Sequence, residues 1–418
     1  MADFCPHRRV GPAHIGHLGA KCHRTAGLSH NCLHRLANLT TSRCLRYSKL
    51  RIIQRAAEGR LDLTEIRHVS EQEFPKWTKR VSPQKDDVVF SYEATLHRYA
   101  LIPEGFHGCL GRRMALVRPD QGKIIPRFLH YYFMSPAWKA VVETNIINGA
   151  TVDRIPIKKF PDFEVSIPSI SKQRSISDIL SAYDDLIENN RRRIQLLEQA
   201  ARLLYKEWFV HLCFPGHEHT RIIDGVPEGW EKKRLGDIAV TNAESYKANN
   251  LPSEINYIDI SSVKQGRILS ENKISSSEAP GRARRIGIDG DVIWSNVRPN
   301  LRAYALVLEP DINDVFSTGF TILSPVAIPF SYLYLLTTTD EFVGYLVNHT
   351  TGASYPAVRP DDFEKAEILL PTQSVLKIFH EKIEPAFRMV QLLEKKIHVL
   401  AKARDLLLPK LMNGEIAV

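Results

Sequence analysis

The sequence contains no run of about 18 apolar residues, so no membrane-spanning helix is expected. Its first residues lack the basic segment and apolar stretch of a secretory signal, and a cytoplasmic location is the expectation. The usual signatures of enzyme chemistry are also missing. There is no G-x-x-x-x-G-K followed by Ser or Thr to cradle phosphates, no H-E-x-x-H, no G-x-S-x-G and no G-x-G-x-x-G after a strand. Nor is there an Asn or Asp followed by Pro-Pro and an aromatic residue, which an amino-methyltransferase would require. In a chain of 418 residues these absences exclude the common catalytic constellations, and no catalytic residue, metal or cofactor is expected on it. Cysteine is scarce and skewed: of six, Cys5, Cys22, Cys32 and Cys44 crowd the opening segment, which is not a disulfide framework. With His7, His14, His17, His23, His30 and His34 these thiols could ligate zinc, yet no C-x-x-C pair accompanies the H-x-x-x-H spacing of His30 and His34 to frame a site.

What is present begins with charge. Lysine and arginine number 56 against 47 acidic residues, a net charge of +9 that suggests a polyanionic partner. Six of those nine charges lie in residues 1–46, where Arg8, Arg9, Lys21, Arg24, Arg35, Arg43 and Arg46 face a single acid, Asp3. Two clusters invite a catalytic reading and are assigned a plainer one. Glu394-Lys395-Lys396 matches the E-x-K fragment of metal-dependent nucleases but falls in a helical pattern, where a solvated face is expected; a nuclease sets such groups on converging strands. Asp361-Asp362 with Glu364 precedes a strand, and a helix N-terminal or loop role is expected.

The chain is a duplication. Residues 84–170 reappear about 204 residues later, a period too long for a solenoid and suited to a tandem pair. Asp87-Val88-Val89-Phe90-Ser91 answers to Asp291-Val292-Ile293-Trp294-Ser295, and Tyr99-Ala100-Leu101-Ile102 to Tyr304-Ala305-Leu306-Val307. Phe128-Leu129-His130-Tyr131 pairs with Tyr332-Leu333-Tyr334-Leu335, Gly149-Ala150-Thr151 with Gly352-Ala353-Ser354, Phe160 with Phe363, and Val165-Ser166-Ile167-Pro168 with Ile368-Leu369-Leu370-Pro371. A weaker match sets Glu58-Gly59-Arg60-Leu61 against Gln265-Gly266-Arg267-Ile268.

Each copy ends in an apolar strand, a Pro and a long helical pattern. After the first, Ile176, Ile179, Leu180, Tyr183, Leu186, Ile187, Ile194, Leu197, Ala201, Leu204 and Trp208 recur at three- and four-residue steps. After the second, Val375, Ile378, Phe379, Ile383, Phe387, Val390, Leu393, Ile397, Leu400, Leu407 and Leu411 do the same, with Pro385 expected to bend the early part. Helices of this length, about 50–60 Å, must bury their stripes against something. The economical partner is each other, antiparallel, holding the two copies apart; packing of each helix on its own domain is the plainer alternative.

The loops after the shared D-V-apolar-aromatic-Ser strand are the candidate recognition surface. In the second copy the loop runs Ser295-Asn296-Val297-Arg298-Pro299-Asn300-Leu301-Arg302, and in the first Ser91-Tyr92-Glu93-Ala94-Thr95-Leu96-His97-Arg98. Arginine makes bidentate bonds to guanine edges and asparagine to adenine edges, which nominates Arg98, Asn296, Arg298, Asn300 and Arg302; a polar turn with no ligand is the plainer reading. Arg112 and Arg113 follow Gly111 where the second copy has Phe320 and Thr321 after Gly319, so one scaffold presents different side chains, as two half-sites would require. Thr151 and Ser354, with Tyr355 beside the latter, place small hydroxyls in matching loops suited to close approach to a phosphate or base edge. Arg282, Arg284 and Arg285 add a basic cluster.

Several stretches together resemble type I restriction-modification specificity subunits: Pro227-Glu228-Gly229-Trp230 with Leu235-Gly236-Asp237-Ile238, the Gly-small-hydroxyl loops, Pro168 with Gln173-Arg174 opening a helix, and Trp208-Phe209-Val210 closing it. The resemblance covers about residues 50–418. It implies an α+β fold of two tandem target recognition domains of mixed α/β structure, separated by two long helices packed as an antiparallel, pseudo-twofold coiled coil. The expected division is an atypical segment 1–46, recognition domain 1 at 47–170, a central helix 171–212, a linker 213–225, recognition domain 2 at 226–372 and a C-terminal helix 373–413. It further implies that the chain is not itself an enzyme: it reads a bipartite site in double-stranded DNA, beside two methyltransferase subunits that use S-adenosylmethionine and a restriction and translocase subunit that uses ATP and Mg. A protein-interaction scaffold without DNA readout, or a stand-alone DNA-modifying enzyme, is the alternative. Residues 1–46 depart from the pattern, having no counterpart of Pro227–Ile238, and are expected to be an artefact of a wrong start or shifted frame, a disordered basic arm or a separate ligand site.

Overall fold

The computed structural model describes residues 50–54, 56–57, 59–63, 67–147, 152–247, 250–352 and 354–418. Segment 1–46 and its zinc and start-site readings therefore lie outside the described residues, as do Glu58, Gly149, Ala150, Thr151 and Ala353. Among the described residues no helix is long and apolar enough to cross a membrane.

In chain order the first copy is built on β1 (Leu50–Ile53), β2 (Arg67–Val69), β3 (Val88–Ser91), β4 (Tyr99–Leu101), β5 (Gly108–Leu110), β6 (Met114–Val117) and the helices α1 (Pro126–Met134) and α2 (Ile170–Tyr205). The second is built on β7 (Glu254–Ile258), β8 (Asn272–Ser275), β9 (Val292–Ser295), β10 (Tyr304–Leu306), β11 (Asp314–Ser317), β12 (Phe320–Pro325), α3 (Phe330–Thr337) and α4 (Gln373–Met412). The central strands β3 and β9 are apolar on both faces, which suits a strand covered on both sides. Val88, Val89 and Phe90, like Val292, Ile293 and Trp294, are at most 1% exposed. Strand β3 lies antiparallel between β4 and β6, and β9 between β10 and β12. A second, mixed sheet recurs in the same way: β1 runs antiparallel to β2 and parallel to β5, and β7 antiparallel to β8 and parallel to β11.

The copies share hydrogen bonds as well as strands. Asp87 Oδ2 accepts from the Gln84 amide and Asp291 Oδ2 from the Ile288 amide, each at 2.8 Å, so the same carboxylate closes the same turn. The Tyr92 amide donates to the Arg113 carbonyl and the Asn296 amide to the Gly319 carbonyl. Strand register agrees, with Ser91 opposite Met114 and Ser295 opposite Phe320. Gly319 therefore corresponds to Arg113, and the expected alignment of Gly111 with Gly319 is corrected by two residues. A two-residue slip keeps every side chain on its own face, so the apolar pattern alone did not reveal it.

The long helices have 36 and 40 residues, and α4 continues through both Pro385 and Pro409. One π-helical turn, Lys206–Val210, extends α2. Leu180, Ile187, Ile194 and Ala201 recur every seventh residue and are buried, the leucine and the two isoleucines each contributing about 1.5–3 kcal/mol. Ile176 and Leu180 share a core with Leu408 and Leu411, while Ala201 and Tyr205 share one with Phe379 and Ile383, so the helices run antiparallel. Ile179, Leu186 and Ile378, expected in the seams, are instead 36%, 51% and 39% exposed. Three- and four-residue spacing marks a face without separating the seam from its flank.

Polar groups lock the end of the seam nearest the first copy. Arg404 is 10% exposed, its Nη1 donates to Asp184 Oδ1 at 2.6 Å, and Asp184 Oδ2 accepts from Tyr131 Oη of α1 at 2.5 Å. Beyond the central helix, Phe214 is buried against Trp230 with ring centroids 4.9 Å apart, so the stretch read as a linker is anchored in the core of the second copy.

Candidate nucleic-acid interface

The loops after β3 and β9 are held in an unusual conformation that recurs. Ala94 and His97 have φ of 68° and 58°, and Arg298 and Arg302 have 51° and 56°. A left-handed backbone at a residue with a Cβ costs about 1–2 kcal/mol, so the surroundings must hold it. In the second copy Ser295 Oγ donates to the Val297 carbonyl at 2.9 Å and the Arg298 amide donates to the Pro356 carbonyl. In the first, Ser91 Oγ donates to the Glu93 carbonyl at 3.3 Å.

In the second copy these contacts gather part of the nominated set. The Arg298 guanidinium lies over the Tyr355 ring, 5.1 Å from its centroid, and its Nη2 is 3.5 Å from the Ser354 carbonyl. Tyr355 is 71% exposed, so arginine and aromatic ring form one protruding unit. Asn300 is exposed on the short turn Pro299–Leu301 beside it. Asn296 is half-buried, and its side-chain oxygen accepts from Thr321 Oγ1 at 2.6 Å. Arg302 leaves the group: it pairs with Asp340 at 2.5 Å and lines a cavity of about 560 Å³ with Arg202 and Lys206.

In the first copy Arg98 is exposed and its carbonyl accepts from the Ser91 amide, while Arg113 Nε stands 3.7 Å from Glu93. Burial lowers the pKa of His97, whose Nδ1 has no hydrogen-bond partner. Thr151 lies outside the described residues. Arg112 opens onto a groove of about 1270 Å³ that sequence reasoning missed. Its described lining holds seven basic residues (Lys76, Lys79, Arg80, Arg112, Arg154, Lys158 and Lys159), the rings of Trp77 and Tyr92, and no acid. All seven are exposed, and among the described residues none forms an ion pair. The signal available in sequence was Lys76-Trp77-Thr78-Lys79-Arg80, basic residues interleaved with an aromatic one; Lys158 and Lys159 join it only through folding.

The expected basic cluster of the second copy is engaged internally. Arg282 pairs with Asp259 at 3.7 Å and donates to Tyr257 Oη at 2.9 Å. Arg285 donates to Ser245 Oγ at 3.1 Å, and burial lowers its pKa. Asp362 accepts from the Arg359 amide at 2.7 Å at the start of the turn Pro360–Glu364, a structural cap. On α4 Lys395 and Lys396 are exposed, as expected of a solvated face, Lys395 pairing with the equally exposed Glu309, while the half-buried Glu394 pairs with Arg267. No group of acidic, histidine and cysteine side chains able to hold a metal occurs among the described residues.

The Gly-Arg turns dock both copies on the long helices. Gly59 and Gly266 have φ of +76° and +90°, and a Cβ on Gly266 would lie 2.7 Å from Tyr334 Oη, so only glycine lets the turn close. Arg60 then reaches Glu188, and Arg267 reaches Glu198 of α2 and Glu394 of α4. By heptad position these glutamates share one flank of the helix pair. On the opposite flank Leu196, Leu203 and Val210 of α2, and Leu392, Val399 and Leu406 of α4, follow seven-residue steps and are all exposed. The helix pair thus carries docked domains on one flank and a bare apolar strip on the other.

A family described as type I restriction modification DNA specificity domain matches residues 53–199. Over 367 residues the chain is 24% identical to the type I restriction enzyme MjaIX specificity subunit of Methanocaldococcus jannaschii, which covers 84% of this chain and 82% of that one. The HindI specificity subunit of Haemophilus influenzae is 22% identical over 373 residues, covering 73% and 80%. Among solved structures, the type I restriction-modification system S subunit from M. genitalium shares the fold with a TM-score of 0.50 at 16% identity, covering 80% of this chain and 84% of that one.

Proposed function

We propose that the chain, which is similar to type I restriction-modification specificity subunits, is itself one and reads a split site in double-stranded DNA without catalysing any reaction. The observation that carries this reading is one hydrogen-bonded frame, built twice, presenting different side chains at equivalent points: Tyr92 and Arg113 in one copy, Asn296 and Gly319 in the other. A frame that positions and side chains that differ are what two unlike half-sites require. The antiparallel helices set the distance between the halves. Their bare apolar strip is the surface for methyltransferase subunits, two of them by the pseudo-twofold repeat, with a restriction and translocase subunit completing the assembly in the cytoplasm. Methyl transfer with S-adenosylmethionine and ATP- and Mg-dependent translocation belong to those partners. The test is a methylation map of DNA from cells expressing this chain with its methyltransferase partner, against cells lacking the chain. A new split motif with N6-methyladenine in both halves is expected; an unchanged map overturns the reading.

A further inference from the structure

Resting on that DNA-reading function, we infer that the two recognition domains divide the work unequally: the groove of the first grips the phosphate backbone and supplies most of the electrostatic affinity, while the second contributes base contacts with little grip. The first copy's groove carries Lys76, Lys79, Arg80, Arg112, Lys158 and Lys159, exposed, unpaired with any described acid and with no acid in the described lining. Among the described residues no acid compensates their charge, which matches a polyanion. The second copy reverses this at the same place. With Phe160 aligned to Phe363, the positions of Lys158 and Lys159 are held by Asp361 and Asp362, and Ala357 makes the backbone bridge that Arg154 makes in the first copy. Of the second copy's other arginines, Arg282 pairs with Asp259 and Arg302 with Asp340, which leaves Arg298 over Tyr355 and the exposed Arg359 as its reaching groups, two against the six of the first copy. The first half-site therefore holds the chain on the duplex and the second adds discrimination.

Salt dependence of binding reads this out, because each phosphate contact adds about 0.9 to the slope of log affinity against log salt concentration. The probe is a fluorescent random-sequence DNA duplex, titrated by anisotropy with the full-length chain. The triple variant Lys76→Gln, Lys158→Gln, Lys159→Gln is expected to flatten the slope by about 2–3, Arg298→Gln by less than about 1, and Asp361→Lys to steepen it by about 1. All five positions are exposed side chains, and unchanged thermal unfolding of each variant checks the fold. A triple variant with the original slope, or an Arg298 variant that flattens it as much as the triple, overturns the unequal division while leaving the DNA-reading function standing. Failure of the unsubstituted chain to bind the duplex at low salt overturns the DNA-reading function itself.

Discussion

The two copies place a carboxylate in the same turn before the same strand and treat it differently. Asp87 is met by Arg118, whose Nε and Nη2 donate to its two oxygens at 2.8 Å each. In the second copy the register places Ser324 where the first has Arg118, and burial pushes the Asp291 carboxyl up to about 6, with Oδ1 left without a hydrogen-bond partner. The position of His130 reverses the contrast. There the first copy buries an imidazole, pulled down to about 4 by desolvation against a weaker opposing pull from Asp184, while the second places Tyr334. The shared turn and strand pairing are what the fold requires; the partners of the buried charge are free to drift, and they give each copy its own stability.

The contrast is broken or sharpened most strongly at Arg404. Arg404→Ala leaves Asp184, 32% exposed at the seam beside the first copy, with Tyr131 Oη as its remaining donor, and losing one partner of this pair is expected to cost about 3–4 kcal/mol. In urea unfolding followed by hydrogen exchange, lost protection is expected in α1 and the adjoining end of α2; equal loss in the second copy would show that the copies do not unfold as separate units.

A smaller effect is expected from pH. His130 has a folded pKa below its ordinary 6.5, so its contribution is complete above that value and is lost as pH falls toward 4. Asp291 has a folded pKa above its ordinary 3.8, so its contribution is complete in acid and is lost as pH rises through about 6. Acidification from pH 6.5 to 4 thus weakens the first copy and strengthens the second, each by up to about 3 kcal/mol. Segment-resolved hydrogen exchange at the two ends of this range tests it, and His130→Leu and Asp291→Asn should each abolish one slope. Slopes of one sign in both copies would contradict the assignment.

The smallest contrast lies in the docking arginines. Arg267→Gln leaves Glu198 and Glu394 facing each other and should cost about 1–2 kcal/mol, whereas Arg60→Gln removes a surface pair, 44% and 58% exposed, and should cost less than about 0.5 kcal/mol. Thermal unfolding of the two variants ranks them, and equal shifts would refute the ranking.

The duplication and the long helices were legible in sequence because both depend on periods: about 204 residues for one, seven for the other. Distinguishing the seam from its flank was not, since Leu186 and Ile187 both satisfy the spacing and only packing separates them. The candidate interface was legible where its members are neighbours in the chain, as with Ser354 and Tyr355. Arg302 was read into the same loop, yet it turns to Asp340, an acid 38 residues away that no local pattern signals. The basic groove was missed for the same reason. Its two lysine-rich segments lie about 80 residues apart and meet only because the first copy folds back on itself.

The bare strip along α2 and α4 also bears on supply inside the cell. A copy made in excess of whatever covers Leu196, Leu203, Leu392 and Val399 keeps that strip in water, where exposed apolar patches drive self-association. On the proposed function, chains in excess of their partners then self-associate, and the amount of working reader is capped by the scarcer component of the assembly. Dosage control of this kind needs no regulator, only a surface that is unsafe to leave alone.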